Sequence, residues 1–169
     1  MSPLATSISM KPDWSQTLRS PALLFVTGFG SGLAPRAPGT AGSLLALVLF
    51  IPLSLLPAWA YAVIVAVTLG AGIVVSSRVA EELGIKDPSL IVIDEFVGLW
   101  IALFLLPNGW FWALAGFALF RFFDILKPWP ISLCDEQLGG GLGIMMDDVV
   151  AGLFAFFVLQ ASAYSLSIL

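Results

Sequence analysis

The sequence predicts an all-α fold: a multi-spanning membrane helix bundle of about five spans, with a short interfacial helix on its N-terminal side. Three observations predict it. Residues of the set AVILMFWYC make up 59% of the 169-residue chain and charged residues only 11%, against about 25% charged in ordinary soluble domains. Charges are missing from long runs: 41 residues between Arg36 and Arg78, 25 between Glu95 and Arg121, and all 21 from Val149 to Leu169. Every Lys and Arg falls where one face of such a bundle would lie. So few charges cannot cover the surface of a water-soluble domain of this size.

The elements follow in order. Residues 1–20 read as a polar tail, and residues 21–169 as a single membrane-embedded domain. Glycines at 28, 30 and 32 and the lack of a small-x-small cleavage site argue against a signal peptide. A short interfacial helix is expected from about Gln16 to Thr27. The 41-residue run is broken by Pro52 and Pro57, which makes it two spans, Ala41 to Leu56 and Ala58 to Ser77. A third helix is expected to start near Pro88, with Asp87 either as its N-cap or as a support of the loop and the acidic site, and to end at the Pro107-Asn108-Gly109 turn. The fourth runs from Trp110 to about Lys127, stopped by Pro128 and Pro130. The fifth starts at Asp147. Each is near the length of roughly 20 residues that a bilayer core requires.

With five spans, the N-terminal segment, the 78–88 loop and the 128–146 loop share one side. Lys11, Arg19, Arg36, Arg78, Lys86, Arg121 and Lys127 all lie there or at adjacent span ends. By the positive-inside rule that side is cytoplasmic. Histidine is absent, which removes Ser-His-Asp and Cys-His engines and imidazole-based zinc sites. The single cysteine, Cys134, can form no internal disulfide. A net charge of −4 without a basic run excludes nucleic acid as a partner. Oligomeric state is left open.

Asp94 and Glu95 sit inside an apolar helix, about 8 Å from its cytoplasmic end. Asp124 lies just inside the other end of the fourth span, with Arg121 and Lys127 at i−3 and i+3. Asp147 and Asp148 open the last span. Antiparallel neighbours reverse direction, so all five carboxylates come to one depth under the cytoplasmic surface. Gly98, Ala151 and Gly152 stand four residues after Asp94, Asp147 and Asp148, small residues that let two helices approach closely. Like charges so close need a counter-charge. Arg121 and Lys127 supply part; a hard divalent cation, Mg²⁺, which takes one or two carboxylates with waters and phosphate oxygens, supplies the rest. The blander alternative is buried ion pairs for Asp94 and Asp124, with Asp147 and Asp148 merely capping a helix. Intramembrane ionisable groups are expensive, which favours function for the whole constellation.

Before the first span runs Thr27-Gly-Phe-Gly-Ser-Gly-Leu-Ala-Pro-Arg-Ala-Pro-Gly-Thr-Ala-Gly-Ser43. Its alternating glycines are expected to turn backbone N–H groups towards an anion, leading into a helix N-terminus near Thr40 to Ser43. The alternative is a plain tight-turn loop. No GxGxxG or Walker spacing is present.

This block, together with Asp87-Pro-Ser-Leu-Ile-Val-Ile-Asp-Glu-Phe-Val-Gly98, Arg121-Phe-Phe-Asp-Ile-Leu-Lys-Pro-Trp-Pro-Ile131 and Gly143-Ile-Met-Met-Asp-Asp-Val-Val-Ala-Gly152, resembles the phosphatidylglycerophosphatase A family from about Thr27 to Leu159. The resemblance implies a Mg²⁺-dependent lipid phosphatase of the bacterial inner membrane. Such an enzyme converts phosphatidylglycerophosphate to phosphatidylglycerol and phosphate. Other phosphatase chemistries fail on these residues: the residue six after Cys134 is Gly140 rather than Arg, no Asp-x-Asp occurs, and there is no histidine. In the mechanism so expected, Asp94, Glu95, Asp147 and Asp148 hold Mg²⁺ and metal-assisted water attacks phosphorus. Asp124 or Glu95 takes the proton. Arg36, Gly39, Thr40, Ser43, Arg121 and Lys127 steady the phosphate. Lipid tails lie along the spans, with Trp100, Trp110, Trp112 and Trp129 near interfaces. The competing class is a cation- or proton-coupled transporter, disfavoured because the acids sit at one edge rather than the midplane.

Overall fold

The computed structural model describes residues 12–107 and 109–168. Lys11, most of the expected polar tail and Asn108 of the expected turn lie outside them. All regular secondary structure among the described residues is helical: α1 (Trp14–Arg19), α2 (Pro21–Val26), a 3-10 turn (Ser31–Leu33), α3 (Pro38–Leu53), α4 (Ala58–Leu83), α5 (Ile93–Ala102), α6 (Trp110–Leu126), α7 (Ile131–Gln137) and α8 (Gly140–Ile168).

The expected interfacial helix is two helices, not one. Asp13 caps α1 in a reciprocal box with Gln16, and Ser20 ends α1 while its side chain caps α2. Pro21 supplies no N–H, so the chain breaks there and restarts with proline at a first-turn position that suits it. Trp14 lies against Gly30, and Thr17 is fully buried, so α1 packs onto the body.

α5 is the hub. It packs mainly against α8 and also against α3, α4 and α6. Eight of its residues are buried, Glu95 and Gly98 among them, as expected of a helix apolar on every side. Trp100 belongs to this core. Its indole donates to the Ala46 carbonyl at 2.9 Å, and the Trp100 carbonyl accepts from the Tyr61 hydroxyl at 2.7 Å. The expected interfacial place for Trp100 is therefore wrong. Trp110 and Trp129 are exposed.

Two helix starts differ from expectation. The third helix starts at Ile93, not near Pro88. Residues 88–92 turn instead, with Ile91 N–H on the Pro88 carbonyl and Val92 N–H on the Val26 carbonyl at 2.8 Å. That tertiary bond takes the amide a longer helix would use, and Asp87 is not the cap. The last helix starts at Gly140, about two turns before Asp147. Gly141 lies against the Ile73 carbonyl of α4 and donates its N–H to Ser77 at 2.7 Å, which anchors the early turn.

Two helices, α4 and α8, are long and apolar enough to cross a membrane by length and composition. Only 11% of the most apolar stretch of α4 is buried inside the bundle. An apolar helix turned so far outward suits a membrane rather than a soluble core. α3 has 16 residues, as many as the short first span expected, and α6 has 17, while α5 with 10 is much shorter than the span expected from Pro88 to the 107–109 turn.

Candidate active site

Four helix ends build the acidic layer. α5 brings Asp94 and Glu95 in its first turn, and α6 brings Arg121 and Asp124 in its last turns with Lys127 as its C-cap. α8 brings Asp147 and Asp148, and α3 brings Gly39, Thr40 and Ser43 near its N-terminus. Glycine makes the approach possible. A Cβ on Gly98 would stand 2.5 Å from the Phe120 ring and 2.7 Å from the Asp148 carbonyl oxygen. One on Gly152 would strike the Gly98 backbone, and one on Gly39 would strike the Glu95 carboxylate. α5 and α8 thus meet at backbone distance beside the acids, and α3 closes against the Glu95 side chain.

The polar groups fall into two halves. In the first, Arg121 is the centre. Its Nη1 pairs with Glu95 Oε2 and, at 2.7 Å, with Asp124 Oδ2. Ser43 Oγ lies 2.6 Å from Glu95 Oε2 and 2.9 Å from the Gly39 carbonyl, the two acceptors open to its single proton. In the second half, Lys127 Nζ pairs with Asp147 Oδ2 at 2.7 Å. A small cavity of about 30 Å³ opens there, lined by Lys86, Asp87, Asp94, Gly140, Gly143 and Asp147. By volume it has room for about two waters.

Asp148 stands between the halves. It is 3% exposed and lies in the fields of Glu95, Asp94, Asp124 and Asp147. Its Oδ2 is buried with no hydrogen-bond partner among the described residues, and so is Arg121 Nε. An orphaned acceptor and an orphaned donor in one polar layer call for a ligand, an ion or water. Asp94 and Asp147 behave as equivalents: each Oδ1 accepts the N–H of the next residue, at 2.9 and 3.0 Å.

Several expectations change. Asp147 and Asp148 lie two turns inside α8, so neither caps it. Of the two ion pairs in the blander alternative, that of Asp124 forms, and Glu95 and Asp147 are paired as well, while Asp94 and Asp148 have no cation partner among the described residues. The glycine loop does not turn free amides outward. Gly28, Gly30 and Gly32 donate to the carbonyls of Phe25, Thr27 and Thr27. Positive φ at Gly28 and Gly30 explains the glycines as turn formers. What remains for an anion is the first turn of α3, where Pro38 has no N–H and the Gly39 and Thr40 amides precede any intrahelical bond. Arg36 is exposed on the loop before α3, and among the described residues the ion pairs of the acidic layer are made by Arg121 and Lys127 instead. Lys86 is new to the site; its only signal in the sequence is its place beside Asp87.

Among the described residues, no three Asp, Glu or Cys side chains stand close enough to hold a metal ion by themselves. The donor set fits a cation that takes one or two carboxylates and completes its shell with water and phosphate oxygens, the habit of Mg²⁺.

The profile of the phosphatidylglycerophosphatase A family matches residues 24–163, a stretch that holds every residue of this layer. The chain belongs to that family. A phosphatidylglycerophosphatase A from Escherichia coli is 43% identical over 143 residues, covering 84% of this chain and 83% of its own. The Haemophilus influenzae family member is 46% identical over 150 residues, 88% of this chain and 92% of its own. A Bacteroides thetaiotaomicron relative, 44% identical over 84% of this chain and 93% of its own, is named provisionally as a phosphatidylinositol-3-phosphatase. No solved structure matches the chain.

Proposed function

We infer that this chain is a lipid phosphatase that hydrolyses phosphatidylglycerophosphate to phosphatidylglycerol and phosphate in phospholipid synthesis. The observation that carries the reaction is family membership across residues 24–163, with two relatives at 43% and 46% identity named for this activity. The finer reading is ours. The chain is a five-span protein of a bacterial inner membrane with its site at the cytoplasmic face and Mg²⁺ as cofactor. The unpaired Asp148 Oδ2 and the Asp94–Asp147 cavity support a metal at this layer.

Asp94, Asp147 and Asp148, with Glu95 beside them, are the carboxylates that would hold Mg²⁺. The chemistry the ion supplies when bound is neutralisation of phosphoryl charge and activation of water. Arg121 Nε–H donates to a phosphate oxygen, and the Gly39 and Thr40 amides at the positive end of α3 add to it. Ser43 holds Glu95 in place rather than binding phosphate directly. Lys127 keeps Asp147 aimed at the cavity, and Arg36 meets the headgroup from outside. As Arg121 turns to the phosphate, Glu95 or Asp124 is released from it to accept the proton of the attacking water. In the transporter alternative polar groups would continue through the bundle; instead the far end is an apolar groove lined by Leu47, Ile51 and Leu106.

The test is phosphate release from short-chain phosphatidylglycerophosphate by the detergent-purified protein, with Mg²⁺, with chelator, and in Asp94→Asn and Asp148→Asn. Release that needs Mg²⁺ and falls at least about 100-fold in both variants, as loss of a group acting on the transferring phosphoryl would give, supports the reading. Undiminished release in chelator defeats the metal, and no release from folded wild type defeats the activity.

A further inference from the structure

An apolar groove lies apart from the acids but shares a helix with them. It is a half-open groove of about 640 Å³ between α3 and α6, lined by Leu47 and Ile51 of α3, Trp112 and Ala113 of α6, and Leu103 and Leu106 between α5 and α6. Its volume lies within the range of about 300–1,000 Å³ usual for ligand sites. α3 forms its wall and also carries Ser43, which touches Glu95 one turn before Leu47. Along α3 the groove begins one turn beyond Ser43 and extends to the turn after Leu53, towards the opposite end of the bundle.

Resting on the phosphatase reading, we propose that this groove receives one acyl chain of the lipid substrate while its phosphate lies at the acidic layer. Length supports the assignment. One leaflet of the hydrocarbon core is about 15 Å deep, which is about ten residues along a helix. Counted from Ser43, that reaches Leu53, within the stretch of α3 that lines the groove. A chain held there anchors the substrate by burial that free glycerol phosphates cannot supply, so the groove selects lipid phosphates over soluble ones. A second apolar depression of about 290 Å³ between α4, α5 and α8 is less than half as large.

Two substrates with the same headgroup, one with six-carbon and one with sixteen-carbon chains, test this with the full-length protein. Ala113→Trp fills the groove; Val67→Trp places the same indole on an exposed part of α4. The expected result is that Ala113→Trp lowers kcat/KM for the long-chain substrate about tenfold, the effect of about two methylenes losing burial. The short-chain value stays within about twofold, and Val67→Trp changes neither. Unchanged long-chain turnover in an Ala113→Trp protein active on the short chain overturns the proposal. Should that variant lose both activities, wild-type crosslinking decides. A sixteen-carbon substrate with a diazirine near the chain end, in phosphatidylethanolamine vesicles, should label residues 47–53 and 103–114. Equal labelling there by tagged phosphatidylethanolamine, or labelling mainly between α4 and α8, overturns it. Failure of wild type on the short-chain substrate would instead count against the phosphatase reading, with the crosslink still judging the groove.

Discussion

Ser43, Glu95, Arg121 and Asp124 form one unit in which a single guanidinium nitrogen serves two carboxylates and lies 3.4 Å from the Ser43 oxygen. Glu95 is 8% exposed, so its charge depends on that partner. Removing Arg121 as Arg121→Met leaves a buried carboxylate unpaired, a loss of about 3–5 kcal/mol in stability. Arg121→Lys keeps the charge but loses the planar fork and the Nε–H. It should fold, with a melting temperature near wild type, and lose at least about tenfold in kcat; wild-type kcat in Arg121→Lys would show that Nε–H does not meet the phosphate. The acids themselves were legible in the sequence because a charge within an apolar run is costly. The tie between Ser43 and Glu95 was not, since it joins residues 52 positions apart through the depth at which α3 meets α5.

Among elements, the crossing of α5 and α8 sets the spacing of the acids. Gly98 faces the Asp148 carbonyl, and Gly152 faces the Gly98 backbone, so both helices are held in register beside Glu95 and Asp148. Gly98→Ala places a methyl 2.5 Å from the Phe120 ring and 2.7 Å from a backbone oxygen. Overpacking of that kind costs about 1–3 kcal/mol. Because the displaced element carries Glu95, activity should fall further than stability does. Thermal unfolding and kcat measured on the same Gly98→Ala protein check this; full activity with lowered stability would detach the crossing from catalysis. The small residues at i+4 foretold this contact. The helix starts misled for opposite reasons. Pro88 looked like a first-turn residue, but Val92 gives its N–H to Val26; Gly139 to Gly141 looked like loop, but Ser77 anchors them. Both outcomes depend on tertiary bonds that local sequence does not carry.

For the whole molecule, the division of polar and apolar ends is the feature that gives function a direction. Lys86, Asp87, the acidic layer and Lys127 gather at one end of the bundle, while the 52–57 turn and Pro107 border the apolar groove at the other. Charge asymmetry made this legible without any coordinates, because the positive-inside rule acts on loops rather than on packing. The number of crossings was less legible, since uncharged length does not distinguish a full span from the 10 residues of α5 and the turn that follows it. In a five-span arrangement, α5 crosses only together with that turn, where Gln160 of α8 donates to the Phe104 carbonyl at 3.0 Å and so satisfies backbone that lipid cannot. A consequence can be read in intact cells. In a Cys134→Ser background, a membrane-impermeant thiol reagent should label Leu55→Cys from outside and reach Lys86→Cys only after the inner membrane is opened. Labelling of both from outside would give an arrangement in which α4 does not cross, and labelling of Lys86→Cys alone would invert the bundle. In either case the acidic layer would face away from the compartment that the basic loops assign to it, and the substrate would have to present its phosphate on the other leaflet.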